Sequence, residues 1–384
     1  MKIVNLVLHG AYTEGYAYQE NCLPYYQKKV FHADVTVICG QWALKKGTND
    51  VQIVDASTYV DKNGIKIIRK KSTNNRVGQK LAIIHGVYDT LEKEKPDYIF
   101  VHLIQSLSLG VIRKYKRKHP NVMIYADSHS DYINSAKNFF SRLFLHKILW
   151  RTIIRRNLPY IEKIYGVLPA RVDFLKEMYK IPKEKVDLLI MGAEDDLLSY
   201  DSHLLFRKMI RDKYLIKDED LVFITGGKID KKKNIHNLIS VFERINNPYV
   251  KLVVFGSIDN EMRALYSSFE NSRNIIYVGW QNSEEIYKLF HCADLSIFPG
   301  THSVLWEQSI GAGLPGIFKR WKGIEHIDQN GNVFFLETET VEELEASILK
   351  FVNNKDYLNI MSERAKQVRK LFLYSNIAKK SLGK

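Results

Sequence analysis

The sequence predicts an α/β protein with two Rossmann-like, doubly wound domains. Its 384 residues exceed a usual domain of about 100–150 residues, so the length favours two hydrophobic cores. Short, almost continuous apolar segments alternate with longer segments of helical period, and this alternation starts afresh in the second half. Parallel strands that are covered on both faces and joined by helical crossovers produce such a pattern.

The predicted strands and helices set the domain boundaries. In the first half we expect strands at residues 3–8, 34–39, 97–102, 122–127 and 164–169, with helices at 78–94 and 107–119. In the second half we expect strands at 221–225, 251–255, 275–278, 295–298, 316–318 and 332–335, with helices at 237–245, 283–291 and 341–353. Residues 1–190 are assigned to the first domain and 191–363 to the second. The basic segment 364–384 is predicted to be a helix that returns to the first domain.

Composition favours a basic protein without membrane-spanning segments or disulfide bonds. The 57 Lys and Arg residues exceed the 43 Asp and Glu residues, for a formal charge of +14, which favours polyanionic partners. No segment approaches the roughly 20 apolar residues that span a bilayer. The first ten residues lack the features of a signal peptide, so we expect a cytoplasmic protein. Cys22, Cys39 and Cys292 are isolated, which argues against a disulfide framework and a structural zinc site.

Ligands of doubly wound sheets bind beyond the carboxyl ends of the strands, so the loops there carry the candidate site. After the first strand, Gly10 and Gly15 allow an anion to approach the backbone, although a plain tight turn explains them as well. After the first strand of the second half, Gly227, Lys228 and Lys233 belong to a segment of two glycines and four lysines. This segment can hold a diphosphate at a helix N-terminus, with a solvated basic turn as the alternative.

Two further strand ends carry polar side chains. His129 follows the fourth strand of the first half, and is a candidate acid, base or hydroxyl partner, or else a structural histidine. Thr301, His302 and Ser303 follow the fourth strand of the second half. Glu307 is expected in the first turn of the next helix, where it can bind a ribose diol or simply complement the helix dipole.

Together these segments resemble the retaining, GT-B-fold glycosyltransferases of family 4 over essentially the whole chain. Residues 227–235 (G-K-I-D-K-K-K-N-I) resemble the family's G-R-L-x-x-x-K-G-I segment, and Glu307 with residues 311–315 (G-A-G-L-P) resembles its L-E-A-x-A-x-G-x-P block. Residues 190–194 are similar to the interdomain segment, and residues 1–37 to the family's opening. The resemblance implies two domains facing each other across a cleft, the first on the acceptor side and the second binding a nucleotide-sugar.

The resemblance also implies a role for each candidate residue. Lys228 and Lys233 match the two cations that hold the donor diphosphate, Glu307 matches the glutamate that binds the ribose, and His129 matches the histidine that contacts the transferring sugar. The family's E-G-F-G segment, whose glutamate faces the donor sugar, is absent, and residues 299–303 read P-G-T-H-S. The expected donor-binding residues are Gly10, Gly15, Gly227, Thr301, His302 and Ser303.

The implied reaction is retaining and needs neither a metal nor a cofactor, since the nucleotide-sugar is a substrate. The lysines would stabilise charge on the departing diphosphate. The donor is expected to be UDP-linked, and the acceptor a glycan or lipid-linked glycan in bacterial surface polysaccharide synthesis. The alternatives are another GT-B enzyme, such as a sugar-nucleotide epimerase, or a sugar-nucleotide-binding protein. An epimerase needs acid–base carboxylates, and the sequence offers no convincing pair.

A basic aromatic segment at residues 142–156 is typical of helices that contact a membrane. Lys147, Arg151 and Arg155 recur at four-residue steps, and Phe144 and Trp150 are among the apolar side chains. Such a helix can lie in an anionic membrane interface, which would place the protein at the inner face of the cell membrane. The alternative is a helix that packs on the core with a solvated basic edge. No nucleic-acid-binding module accompanies the segment, so no nucleic-acid partner is expected.

Overall fold

The computed structural model describes residues 1–45, 50–136, 138–198, 200–245 and 247–384. The chain divides into two compact units, which we describe separately. Unit 1 comprises Met1–Ile190 and Tyr374–Lys384, and unit 2 comprises Met191–Leu373. Each unit contains a mainly parallel sheet, so the predicted class of two Rossmann-like α/β domains is confirmed.

The sheet of unit 1 has eight strands in the order β10-β9-β8-β7-β1-β2-β6-β5. All neighbouring strands are parallel except β5 and β6, and β3 pairs with β4 in a separate antiparallel ladder. The strands are β1 (Lys2–Val7), β2 (Asp34–Cys39), β3 (Trp42–Leu44), β4 (Val51–Ile53), β5 (Thr58–Val60), β6 (Lys66–Arg69), β7 (Tyr98–His102), β8 (Met123–Ser128), β9 (Lys163–Gly166) and β10 (Val186–Leu188).

The sheet of unit 2 has six parallel strands in the order β13-β12-β11-β14-β15-β16. The strands are β11 (Leu221–Gly226), β12 (Val250–Phe255), β13 (Ile275–Gly279), β14 (Leu295–Phe298), β15 (Gly316–Lys319) and β16 (Val333–Leu336). All eleven strands expected from the apolar segments are present, two with the expected boundaries and the others with boundaries that differ by at most three residues.

Helices connect the strands in both units. They are α1 (Gln19–Phe31), α2 (Arg76–Leu81), α3 (Val87–Glu94), α4 (Gly110–Lys118), α5 (Arg151–Asn157), α6 (Pro169–Tyr179), α7 (Asp195–Leu198), α8 (His203–Lys213), α9 (Ile235–Arg244), α10 (Leu265–Asn271), α11 (Ser283–Cys292), α12 (Leu305–Gly311), α13 (Val341–Asn353), α14 (Lys355–Val368) and α15 (Tyr374–Ser381). A π-helical segment, Ser141–Trp150, runs directly into α5.

The predicted helix at 78–94 was wrong in one respect, because it is two helices. Ala82 adopts a left-handed conformation at the end of α2, with φ of 54°. Ile84 then pairs with Ser72 in an isolated bridge before α3 begins. Strands β3 to β6 and β10 were also not foreseen, since each has only three or four residues. Of these, β3 and β4 lie outside the main sheet, and β5 and β10 are its two edges.

Alternate residues of β1 show why the sheet of unit 1 is buried on both faces. Val4 and Leu6 pack into one apolar cluster, whereas Ile3 and Val7 pack into another on the opposite face. Between them lies Asn5, a fully buried polar residue. Helix α15 belongs to unit 1, where the ring of Tyr374 stacks on Tyr26 of α1 at 5.6 Å between centroids.

Candidate functional site

Each sheet has one point at which the order of its strands reverses. In unit 2 the chain proceeds from β11 to one edge and then returns to add β14 on the other side. In unit 1 the corresponding reversal lies between β1 and β7. Doubly wound sheets bind ligands at the carboxyl ends of the two strands beside such a point. The loops after β11, β14, β1 and β7 are therefore the structural candidates.

The loop after β11 turns sharply and enters α9. Gly227 has a φ of 107°, in the left-handed region that glycine tolerates without strain. The Asp230 side chain then accepts hydrogen bonds from the backbone N–H groups of Lys232 and Lys233, which starts a 3-10 turn. These contacts fix the lysine segment at the amino end of α9.

The loop after β14 is bound to this lysine turn. The Thr301 N–H donates to the Lys232 carbonyl at 3.0 Å. A Cβ atom at Gly300 would lie 2.4 Å from that carbonyl oxygen, so only glycine allows the backbones to approach this closely. The Lys233 Nζ donates to the carbonyls of Thr301, at 2.7 Å, and His302, at 3.0 Å. We call this arrangement the Lys233 clamp.

The Lys233 ammonium is half-buried and has three N–H bonds, of which the clamp uses two. Burial lowers the pKa of Lys233 to about 8. The group therefore carries its charge at neutral pH and can direct its remaining N–H to an anion. It loses that charge as the pH rises through about 8.

Glu307 lies in the first turn of α12, as expected, but its side chain is completely buried. The His302 Nε2 contacts both carboxylate oxygens, at 2.9 and 3.0 Å, and the His326 Nε2 donates to Oε1 at 2.9 Å. Although burial opposes ionisation, the two imidazoles lower the pKa of Glu307 to about 2. The carboxylate is thus an internal anchor for two imidazole rings, whose side chains are 8% (His302) and 4% (His326) exposed.

Lys228 has a different partner from Lys233. Its Nζ lies 2.9 Å from Oδ2 of Asp259, a residue of the loop after β12, and its side chain is 54% exposed. This carboxylate raises the pKa of Lys228. The structure therefore joins Lys233, Thr301, His302 and Glu307 in one network, and pairs Lys228 with a carboxylate outside it.

In unit 1, His129 follows β8 and is partly exposed, at 24% of its side chain. Its Nε2 lies 3.7 Å from Oδ2 of Asp127, and His102 Nδ1 lies 3.2 Å from the same oxygen. Although burial by itself would raise the pKa of Asp127, His129 and His102 lower it. Gly10 and Gly15 lie in the loop after β1, exposed and with positive φ of 84° and 80°.

Sequence reasoning missed Glu20 and His326, which interact with residues of these sites, and an exposed tryptophan at another strand end. Burial raises the pKa of Glu20, at the start of α1, and its carboxyl interacts electrostatically with His129, His102 and Asp127. Trp280 directly follows β13 and is 71% exposed, so the rule on strand ends could have found it. His326 has no sequence signal, because it reaches Glu307 from 19 residues further along the chain.

Among the described residues, no group of three or more His, Cys, Asp or Glu side chains could hold a metal ion. Within the same ranges, no helix combines the length and the apolar character that crossing a membrane requires.

One family model matches the part of the chain that contains the Lys233 clamp. Residues 206–368 match the family model described as glycosyl transferases group 1. This matched range lies within unit 2. It includes the lysine turn after β11, the loop after β14 and Glu307, so the similarity to this family covers the whole network around the clamp.

Solved structures resemble the entire chain, not only the range that matches the family model. A glycosyltransferase from Rickettsia africae is 15% identical, with a TM-score of 0.69 over 99% of this chain and 96% of that one. HepE from Anabaena, in complex with UDP, is 14% identical, with a TM-score of 0.68 over 99% and 98%. At such identities these likenesses show the fold, and they confirm the predicted GT-B class.

A third similar structure belongs to an enzyme of another type. It is the UDP-GlcNAc 2-epimerase from Neisseria meningitidis bound to UDP-GlcNAc, which is 14% identical, with a TM-score of 0.64 over 100% of this chain and 99% of that one. A comparison with curated proteins finds no match.

Proposed function

We propose that this protein is a retaining, metal-independent glycosyltransferase that takes a hexose from a UDP-sugar. The observation that carries the proposal is the Lys233 clamp. It sets a partly buried ammonium group at the amino end of α9, beside the strand reversal between β11 and β14. A cation, a helix N-terminus and a glycine-rich turn at one place are suited to a diphosphate.

In the proposed reaction, the bond between the sugar C1 and the diphosphate oxygen breaks, and its electron pair leaves with the diphosphate. Lys233 stabilises the charge that develops on that oxygen, and Lys228 assists after exchanging Asp259 for the diphosphate. The acceptor hydroxyl oxygen bonds to C1 on the face that the diphosphate leaves, and its proton passes to a phosphate oxygen. Such positioning of charge is the main source of catalysis when no covalent intermediate forms.

His129 is proposed to contact the transferring sugar, as the family resemblance implies. The buried Glu307 does not reach the ligand directly in this proposal; it holds the ring of His302, which hydrogen-bonds the ribose or the sugar. His302 would thereby replace the glutamate of the absent E-G-F-G segment, together with Thr301 and Ser303.

Trp280 is proposed to stack on the uracil base. Strand β13 lies two strands from β11, which corresponds to roughly 10 Å along the edge of the sheet. Because stacking on an aromatic side chain contributes about 1–3 kcal/mol per base, Trp280→Ala should weaken UDP binding by at least about fivefold. Isothermal titration with UDP measures this. Trp280→Phe is the control that keeps an aromatic ring. Equal UDP affinity of the wild type and both variants would contradict a contact between Trp280 and the base.

The proposed acceptor is a glycan or lipid-linked glycan of bacterial surface polysaccharide synthesis, reached at the inner face of the membrane. Support comes from an exposed stripe in the helix through residues 142–156 and just before it, which we call the aromatic surface. Its members are Phe139, Phe140, Phe144 and Ile148, each more than half exposed. The exposed cations of the same helix are Arg142, Lys147, Arg155 and Arg156.

The opposite stripe of this helix packs into unit 1, which corrects one part of the sequence interpretation. Trp150 is 2% exposed, and His146 and Ile154 are also buried. Trp150 is therefore a core residue and not a membrane anchor. Phe139 and Phe140, which precede the predicted segment, supply exposed rings in its place.

We expect the double variant Phe140→Ser with Phe144→Ser to lose vesicle binding. Each buried Phe contributes about 1.5–3 kcal/mol, so the partition coefficient on vesicles with anionic lipid should fall at least about tenfold. Sedimentation of the purified protein with such vesicles measures this. The matched control is Leu204→Ser with Leu205→Ser, two exposed apolar residues of α8. Equal binding by both variants and wild type would contradict the membrane contact.

Thermal shift with a panel of UDP-, GDP- and ADP-sugars tests the donor assignment. The wild type should be stabilised by one UDP-sugar and by UDP, and Lys233→Ala should lose both effects. Stabilisation by a GDP- or ADP-sugar alone would show that the donor nucleotide is not UDP. If no donor stabilises the protein, the proposal is contradicted.

A sugar-nucleotide epimerase is the second candidate, because of Glu20. The pKa of Glu20 is raised and that of Asp127 is lowered. Two carboxyl groups with pKa values shifted in opposite directions can serve as the acid and the base of one reaction. An epimerase would convert UDP-GlcNAc into its C2 epimer without a second substrate, and Glu20→Gln would abolish this. Analysis of the sugar-nucleotide by NMR distinguishes this activity from transfer.

A further inference from the structure

A buried polar chain crosses the core of unit 1, from the candidate site to the C-terminal helix. Its members, which we call the polar chain, are Asp127, His102, Asn5, Gln27 and Ser381. None is more than 1% exposed. The His102 Nε2 lies 3.1 Å from the Asn5 Oδ1, the Asn5 Nδ2 donates to the Gln27 Oε1 at 2.8 Å, and the Gln27 Nε2 donates to the Ser381 Oγ at 2.9 Å.

The direction of every hydrogen bond in the polar chain follows from Ser381. Its hydroxyl donates to the carbonyl of Ala378 at 2.7 Å, and a carbonyl can only accept. The Ser381 oxygen must therefore accept from the amide group of Gln27. This orientation turns the Gln27 oxygen towards the Asn5 amide group, which in turn presents the Asn5 oxygen to His102. The His102 Nε2 is consequently protonated and donates.

The other ring nitrogen of His102 faces a carboxylate. Its Nδ1 lies 3.2 Å from the Asp127 Oδ2, and neither atom makes an aligned hydrogen bond within the described residues. The Asp127 Oδ1 accepts from the backbone N–H of Leu103 at 2.8 Å. If His102 were neutral, its Nδ1 lone pair would oppose the carboxylate in a buried site, which is unfavourable. A proton on Nδ1 removes this repulsion.

We propose that the polar chain, anchored by Ser381 of α15, holds His102 as an imidazolium ion beside Asp127 and so positions His129 for the transferring sugar. His102 is a positioning residue, since it acts through Asp127. The role of His129 in this statement rests on the proposed function, whereas the charge on His102 does not.

The consequence for His129 follows from the shared carboxylate oxygen. Asp127 Oδ2 lies 3.2 Å from His102 and 3.7 Å from His129. If His102 is charged, it already balances the charge of the Asp127 carboxylate. His129 can then keep its present distance, with its Nε2 towards Asp127 and its Nδ1 available to a ligand. With His102 neutral, Asp127 would draw His129 inward as its only counter-charge among these three residues.

The charge on His102 is measured directly by NMR of protein labelled with nitrogen-15 in histidine, with the signal assigned by its absence in His102→Gln. At pH 8 both ring nitrogens of His102 should resonate as protonated nitrogens in the wild type. In Ser381→Ala the amides of Gln27 and Asn5 are free to reverse, and one His102 nitrogen should become unprotonated. Ser381→Thr keeps the hydroxyl and should keep the wild-type spectrum.

Kinetics tests the link to His129. We expect Ser381→Ala to lower kcat for nucleotide release about tenfold, the lower end of the loss found when the hydrogen bond that orients a metal-ligating imidazole is removed. KM for the donor should be unchanged, and Ser381→Thr should restore kcat. A neutral His102 in the wild type would overturn the proposal without using any activity. An unchanged kcat in Ser381→Ala, despite an altered His102 signal, would overturn the link to His129. If no donor is turned over, the proposed function fails while the spectrum still decides the state of His102.

Discussion

Glu307→Gln is expected to lower the free energy of unfolding by about 3–5 kcal/mol, as removal of one partner from a buried charged network usually does. The amide carries no charge, and its NH2 group would replace the second carboxylate oxygen, which now accepts from the His302 Nε2 at 3.0 Å. Chemical denaturation at pH 7 measures the effect. Glu270→Gln, at an exposed position of α10, is the control and should change the stability little.

The same substitution has a predicted pH dependence. Because the pKa of Glu307 is lowered from 4.5 to about 2 in the folded protein, its carboxylate stabilises the fold fully above pH 4.5. This contribution is lost as the pH falls towards 2. The difference in stability between wild type and Glu307→Gln should therefore shrink below pH 4.5. A difference that stays constant down to pH 3 would contradict the buried carboxylate.

Lys233→Ala is expected to lower kcat/KM for nucleotide release by about 10²–10³-fold, the loss found when one preorganised charge donor is removed from a transition state. The substitution removes the cation and also releases the carbonyls of Thr301 and His302 that it holds. Steady-state assays with the best donor measure this. Lys231→Ala changes an exposed lysine of the same turn and should retain activity; equal losses in both variants would indicate a diffuse basic patch.

The pH dependence of activity provides a second test of Lys233. Since burial lowers its pKa to about 8, the ammonium form disappears as the pH rises through that value, and turnover should fall with it. Lys233→Arg stays charged throughout. Any residual activity of that variant should not fall between pH 7 and 9, whereas a parallel fall in both proteins would assign the titration to another group.

Much of the fold could be predicted, because parallel strands buried on both faces leave continuous apolar segments in the sequence. Such segments located β11 and β14, and therefore the loops that contain Lys233 and Glu307. The break between α2 and α3 could not be predicted. It depends on Ala82 in a left-handed conformation and on a bridge from Ile84 to Ser72, neither of which changes the helical period.

The arrangement within the site was harder to predict than its location. Spacing placed Glu307 on α12, but its complete burial depends on His326, which arrives from a separate turn after β15. The polar chain is still less accessible to sequence reasoning, since Gln27 and Ser381 lie 354 residues apart. In the same way, the period of residues 142–156 could not decide whether Trp150 or Phe144 faces outward.

Release of UDP from a UDP-sugar, followed over time in wild type and Lys233→Ala, tests the proposed transferase activity most directly. A transferase should release UDP slowly without an acceptor, as water replaces the acceptor hydroxyl, and Lys233→Ala should not. A wild-type protein that binds the UDP-sugar and leaves it intact, or converts it to an epimer without releasing UDP, would contradict the proposal.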